Sequence, residues 1–180
     1  MFNEMKMWSD FQEILDKDSI NAAWTGIFTF SYMTFHLGSP FLGSFSMILI
    51  VASFPITALI TEGILGVTWY GDLHNAIILI IMGIAADDIF VFYDAWRQSA
   101  CIEEFKGDKN KRMCYTFRRS SRAMAVTSTT TMAAFCANYF SPIMPIKSFG
   151  IFAGIIVPVN YILVVIFYPS FIFIHESAGF

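Results

Sequence analysis

Apolar residues run along this chain in five stretches of helical length, Ile20–Leu37, Phe41–Ile64, Leu73–Trp96, Ala123–Phe140 and Phe149–Ile174. A helix rises 1.5 Å per residue, so crossing roughly 30 Å of hydrocarbon takes about 20 residues. The pattern predicts an all-α fold, a polytopic bundle of five transmembrane spans. Pro158 and Pro169 fall inside the last stretch. In a bilayer, neighbouring helices satisfy the carbonyls that a proline frees, so a kinked span is expected there rather than a broken one. Ahead of the first span, Phe2, Met5, Trp8, Phe11, Ile14 and Leu15 recur at three-to-four spacing, with Glu4, Asp10, Glu13 and Asp16 elsewhere around the helix. Residues 1–19 therefore read as an amphipathic helix, lying on the membrane surface or docked on another domain.

Composition agrees with a bilayer. Hydrophobic residues make up 56% of the 180 positions and charged ones 14%, against about 25% charged in soluble domains. Arg97, Lys106, Lys109, Lys111, Arg112, Arg118, Arg119 and Arg122 all fall in the 97–122 linker between the third and fourth spans. Such a concentration marks a cytoplasmic loop. Alternation then puts the N-terminus and the turn at 70–72 outside, and the Gly38 turn and the 175–180 tail in the cytoplasm. Trp69, Tyr70 and Trp96 fit interfacial belts. The expected location is multi-pass, in the plasma membrane or an endomembrane. Residues 1–19 lack the basic-then-apolar order of a cleavable signal. Cys101, Cys114 and Cys136 offer no disulfide framework. No metal site, nucleotide loop or nucleophile with a matched base is visible, so the reading is of a protein that is not an enzyme, holds no cofactor and binds no nucleic acid.

The candidate chemistry is acidic. Asp87 and Asp88 sit in the middle of the third span, where each charged aspartate costs roughly 2.5 to 3.5 kcal/mol on insertion scales. A buried pair must be protonated, ion-bound or partnered. Asp94 follows Asp87 by seven residues, nearly on the same face and about 10 Å nearer the cytoplasm. It reads either as a third member of the ion-coupling site or as a solvated helix-end residue near Arg97. Gly83, one turn before Asp87, offers a side-chain-free position for a close neighbouring helix. Thr127, Ser128, Thr130 and Thr131 in the fourth span supply hydroxyls beside the acids, or serve as ordinary small-residue packing. That span is too polar to face lipid on all sides and is expected inside the bundle, next to the acidic helix. A carboxylate pair in such a site takes up and releases H+ or Na+; the structural alternative is a salt bridge to another helix. The basic linker also suggests contact with anionic lipid through Lys109, Lys111, Arg112, Arg118 and Arg119.

The order of these features resembles the Dispatched/Patched family, the sterol-sensing-domain branch of the resistance-nodulation-division permeases, with Dispatched nearest. The matching segments are His36-Leu37-Gly38-Ser39, Ser53-Phe54-Pro55, the GxxxDD run from Gly83 to Asp88, Ile89–Gln98, Arg118–Thr131, Phe149-Gly150 and Pro169–Glu176. The resemblance implies a five-helix sterol-sensing unit within a twelve-span transporter. It also implies cation-coupled export of a sterol or lipid-linked cargo through Asp87 and Asp88, with release of lipid-modified Hedgehog ligand as the Dispatched activity. Partners implied are membrane lipid or sterol and a second transmembrane half, supplied by a longer gene product or by other chains. The alternative is a sterol-sensing or partner-binding module that does not transport.

Overall fold

The computed structural model describes residues 2–63, 73–103 and 108–178, with side chains of 20–63, 77–103 and 108–176. Expectations for Trp69, Tyr70, the 70–72 turn, the tail beyond Glu176 and the side chains of 1–19 lie outside the described residues. Five helices follow in order: α1 (Phe2–Leu37), α2 (Pro40–Gly63), α3 (Leu73–Ser99), α4 (Lys109–Ala137) and α5 (Met144–Ala178), with a 3-10 turn at Asn138–Phe140. No strand occurs among the described residues.

Punctuation in the sequence sets the helix ends. Gly38 takes φ 66°, a conformation costly to any residue with a Cβ, and its N–H donates to Thr34 O at 3.0 Å. This closes α1 with a left-handed cap. Pro40 then opens α2, where its missing N–H costs nothing. At the other connection the Asp108 side chain accepts from the backbone N–H groups of Asn110 and Lys111, both at 3.1 Å, and caps α4. Those bonds hold the Asp108 carboxyl below its ordinary value, the backbone bond from Lys111 contributing most.

Two boundaries differ from the sequence expectation. Helix α1 has no break at Ile20, because no glycine or proline occurs before Gly26 to interrupt it. Residues 2–19 thus prolong the first helix rather than forming a separate element. The basic linker, which the family resemblance implies to be partly helical over 98–117, runs from Lys109 without a break into the fourth span, so α4 carries the cations and the hydroxyl run on one axis. Helix α5 continues through both prolines.

Helix α5 packs against α2, α3 and α4, while α1 packs on α2 and α3. The core joins Met33, Leu42, Ile50, Ile81, Ile89, Phe92, Ile156 and Tyr168. On α2 the buried face is hydroxylated: Ser46, Ser53, Thr57 and Thr61 are each at most 2% exposed and donate to carbonyls of their own helix at 2.6–2.9 Å. Self-satisfied small residues let helices approach closely where apolar burial supplies no drive. Helices α2 and α5 are long and apolar enough to cross a membrane by length and composition. The acids Asp87, Asp88 and Asp94 lie on α3, and six cations and the 127–131 hydroxyl run on α4.

Helix α4 is an edge helix, which corrects the expectation of an interior one. Within its 29 residues Thr116, Ser120, Met124 and Ser128 are buried. It meets α3 on one flank and α5 on the other.

Candidate functional site

Adjacent helix positions point about 100° apart, and this rotation separates the two acids. Asp88 turns inward and is 5% exposed, flanked by buried Ala85, Ala86, Ile89 and Phe92. Asp87 turns outward and is exposed at the bundle surface, together with Ile80, Gly83 and Val91 on the same stripe. The pair is therefore not a single site within this chain.

The partner of Asp88 comes from α5. Asn160, 2% exposed, donates from Nδ2 to Asp88 Oδ2 at 3.4 Å, a long contact near the limit for a hydrogen bond. Its Oδ1 is also buried and has no partner among the described residues. The interior thus holds a carboxyl, an amide and an unmatched acceptor against apolar walls. Asn160 is absent from the sequence-based set. Its signal was there, as the one amide in an apolar run from Phe149 to Phe167, a context in which polar residues are expensive.

The hydroxyls of α4 do not reach the acids. Thr127 donates to Met124 O at 3.0 Å and Thr130 to Thr127 O at 2.9 Å, and both are exposed. Thr131 is half-buried and Ser128 is buried. Helical threonines satisfy themselves this way when no outside group competes. Gly83 has open space before it, with nothing within 4 Å of where a Cβ would lie. The close helix contact instead falls at Gly150 of α5, where a Cβ would lie 2.6 Å from Asn138 Cβ and 2.8 Å from Phe135 O.

Asp94 belongs to a third environment. His36 Nε2 of α1 lies 3.3 Å from its Oδ1, and the imidazole meets Phe90 edge-on at 4.7 Å between ring centres. Tyr93 Oη donates to Leu37 O at 2.7 Å beside them. Asp94 thus ties α3 to α1 and is neither grouped with Asp88 nor a free helix-end residue. At the same end of the bundle, Arg112 lies 3.7 Å over the Trp96 ring. Its guanidinium donates to Trp96 O, Ser99 Oγ and Glu176 Oε1 at 2.8, 3.0 and 3.2 Å. This clasp fixes the ends of α3, α4 and α5 together.

A helical membrane domain with an acid and an amide facing each other in its interior is the class that fold and site define. The family model described as Patched SSD matches residues 23–174. Protein dispatched homolog 1 of mouse and of human are each 30% identical over 166 residues, which is 92% of this chain and 11% of theirs. Protein dispatched of Drosophila melanogaster is 30% identical over 187 residues, covering 92% of this chain and 15% of its own. The chain belongs to the Dispatched/Patched family and is a membrane protein; it spans between a tenth and a sixth of the length of these relatives.

Proposed function

We propose that this chain forms the sterol-sensing module of a membrane transporter that moves a sterol or lipid-linked cargo, coupled to Na+ or H+. The single observation carrying this reading is Asp88, buried on one long hydrogen bond beside the unmatched Oδ1 of Asn160. A dry carboxylate with spare acceptor capacity nearby suits a cation or a proton that arrives and leaves. Asp87 contributes from the outward face, where a second transmembrane half or another chain completes the site. The proposal includes five crossings, an external N-terminus and a cytoplasmic C-terminus, in the plasma membrane or an endomembrane. It assigns no enzymatic step, cofactor or nucleic-acid partner.

The test places residues 23–174 of this chain into mouse Protein dispatched homolog 1 in place of the matching segment. Release of lipid-modified Hedgehog ligand is then measured against the sodium and proton gradients. Asp88→Asn is expected to abolish release and Asp87→Asn to reduce it strongly. If Asp87→Asn with Asp88→Asn leaves release and its ion dependence intact, coupling through these acids is wrong.

A second reading, a sterol-binding module without transport, is favoured by an apolar groove of about 620 Å³ between α4 and α5, walled by Met132, Tyr139, Ile155, Pro158 and Ile162. It predicts sterol photocrosslinking that survives the Asp88→Asn change.

A further inference from the structure

The first half of α4 carries six cations and no acid. Half of them are engaged. Lys109 Nζ donates to Glu176 O at 3.3 Å, Lys111 Nζ lies 3.5 Å from Asp108 Oδ2, and Arg112 is held in the clasp over Trp96. Arg118, Arg119 and Arg122 form no ion pair among the described residues. Arg119 does donate to Tyr115 Oη at 3.2 Å.

Arg118 and Arg122 are four residues apart and so share a face of α4. With Lys111 at its rim, that face opens on a groove of about 960 Å³ whose wall includes Phe117, Ala125 and Tyr161 of α5. The Tyr161 hydroxyl is already committed, donating to Ser121 O at 3.2 Å, which leaves its ring as apolar wall. Seven residues further along α4, about 10 Å at helical rise, the same α4–α5 seam becomes wholly apolar from Met132 to Ile162. Two guanidiniums with no ion pair among the described residues thus stand at the head of an apolar channel.

We propose that this groove binds an anionic phospholipid, its phosphate held by Arg118 and Arg122 and an acyl chain laid along Ala125 and Tyr161 toward Met132. Guanidinium forks match phosphate geometry and are weakly hydrated, which suits a partly apolar site. A soluble phosphate gains nothing from the apolar wall; a lipid uses both parts. Charges that served orientation alone need no groove between them. The inference does not depend on the transport reading.

The full 180-residue chain is reconstituted in phosphatidylcholine vesicles carrying a trace of spin-labelled phosphatidylserine or spin-labelled phosphatidylcholine. The motionally restricted fraction gives their relative association constants. The phosphatidylserine preference is expected to reach about 25-fold, each of the two arginines being worth roughly fivefold near an anionic surface. Arg118→Gln with Arg122→Gln brings it to parity, and the Lys pair at the same positions retains most of it, which excludes misfolding as the cause. Lys109→Gln leaves the preference within about twofold, since that residue lines no part of the groove and is bonded to Glu176 O. Ala125→Phe, which fills the groove with every charge in place, removes the preference. The proposal is overturned if the Gln pair keeps the preference, if Lys109→Gln lowers it as much, if Ala125→Phe leaves it whole, or if inorganic phosphate displaces the lipid at matched ionic strength.

Discussion

Replacing Asn160 and Asp88 singly and together separates a site held for function from one held for stability. Asn160→Leu removes the amide that donates to Asp88 and leaves a buried carboxyl unpaired, a loss of about 1–3 kcal/mol that the added apolar burial only partly offsets. The expected net cost is about 2 kcal/mol. Asp88→Leu strands the Asn160 amide instead and is expected to cost about 1 kcal/mol by the same reasoning. With both replaced, no polar group remains in the pocket, and apolar substitution of a buried polar pair is neutral or stabilising. The double variant should return to within about 0.5 kcal/mol of the parent, a coupling of roughly 2.5 kcal/mol. Neutral hydrogen bonds between membrane helices average about 0.6 kcal/mol in such cycles, so a value this large marks the interior acid. The assay is unfolding of the purified chain in mixed micelles, followed by far-UV ellipticity as sodium dodecyl sulfate is raised. Single costs that simply add, within about 0.5 kcal/mol, would refute the idea that the two groups depend on each other. A stable double variant that has lost release in the chimaeric transporter would show a polar pair kept at the expense of stability.

Gly150→Ala pushes a Cβ into Asn138 and the Phe135 carbonyl and is expected to destabilise by about 2 kcal/mol, whereas Gly83→Ala faces open space and should stabilise the isolated chain by up to about 1 kcal/mol; thermal unfolding in detergent compares them. Arg112→Ala opens the clasp over Trp96 and should cost about 2–3 kcal/mol, with a coupling to Glu176→Gln near 1 kcal/mol; additivity of the two in the same melts would remove Glu176 from the clasp. Capping depresses the Asp108 carboxyl from 3.8, so its contribution is complete above that pH and lost as pH falls through the lowered value. Helicity of α4, read by amide hydrogen exchange at its first turn, should drop below pH 3.8 in the parent and already be low and pH-independent in Asp108→Ala.

The helices were legible in the sequence because apolar runs of bilayer length, Gly38 and Pro40 all act locally. The burial of Asp88 was half legible: an acid in the middle of a span is conspicuous, but its rotation relative to Asp87 acquires meaning only once α5 is packed beside it. Asn160 escaped for the same reason, since an amide in an apolar run gives no hint of which helix it faces. The hydroxyl run at 127–131 misled because threonines bond to their own helix when nothing nearer competes, as Thr127 and Thr130 do. Gly83 stood out by its place one turn before Asp87, and Gly150 had no such marker. Close approach is decided by the partner surface, and that surface is Asn138 and Phe135 rather than anything beside Gly83. Residues 97–122 read as a partly helical linker because of their charge, but not as one helix with the fourth span, which Asp108 starts in the middle of them.

The divergence of the two acids constrains any account of the working protein. Asp88 is provided for within the chain by Asn160, while Asp87 shares an exposed stripe with Ile80, Gly83 and Val91. At the middle of a spanning helix, an outward charged aspartate carries an insertion cost of roughly 2.5–3.5 kcal/mol, and the chain places no lysine or arginine at that depth. A second polypeptide surface over this stripe removes the cost, and the small Gly83 beside Asp87 leaves room for that surface to come close. On the transport reading proposed above, the same contact brings the outward acid close to the ion proposed for the inward one without requiring both to occupy one pocket. Adjacent aspartates on a helix are thus suited to an interface: one carboxyl belongs to the fold already formed, and the other is left for the second polypeptide surface proposed above.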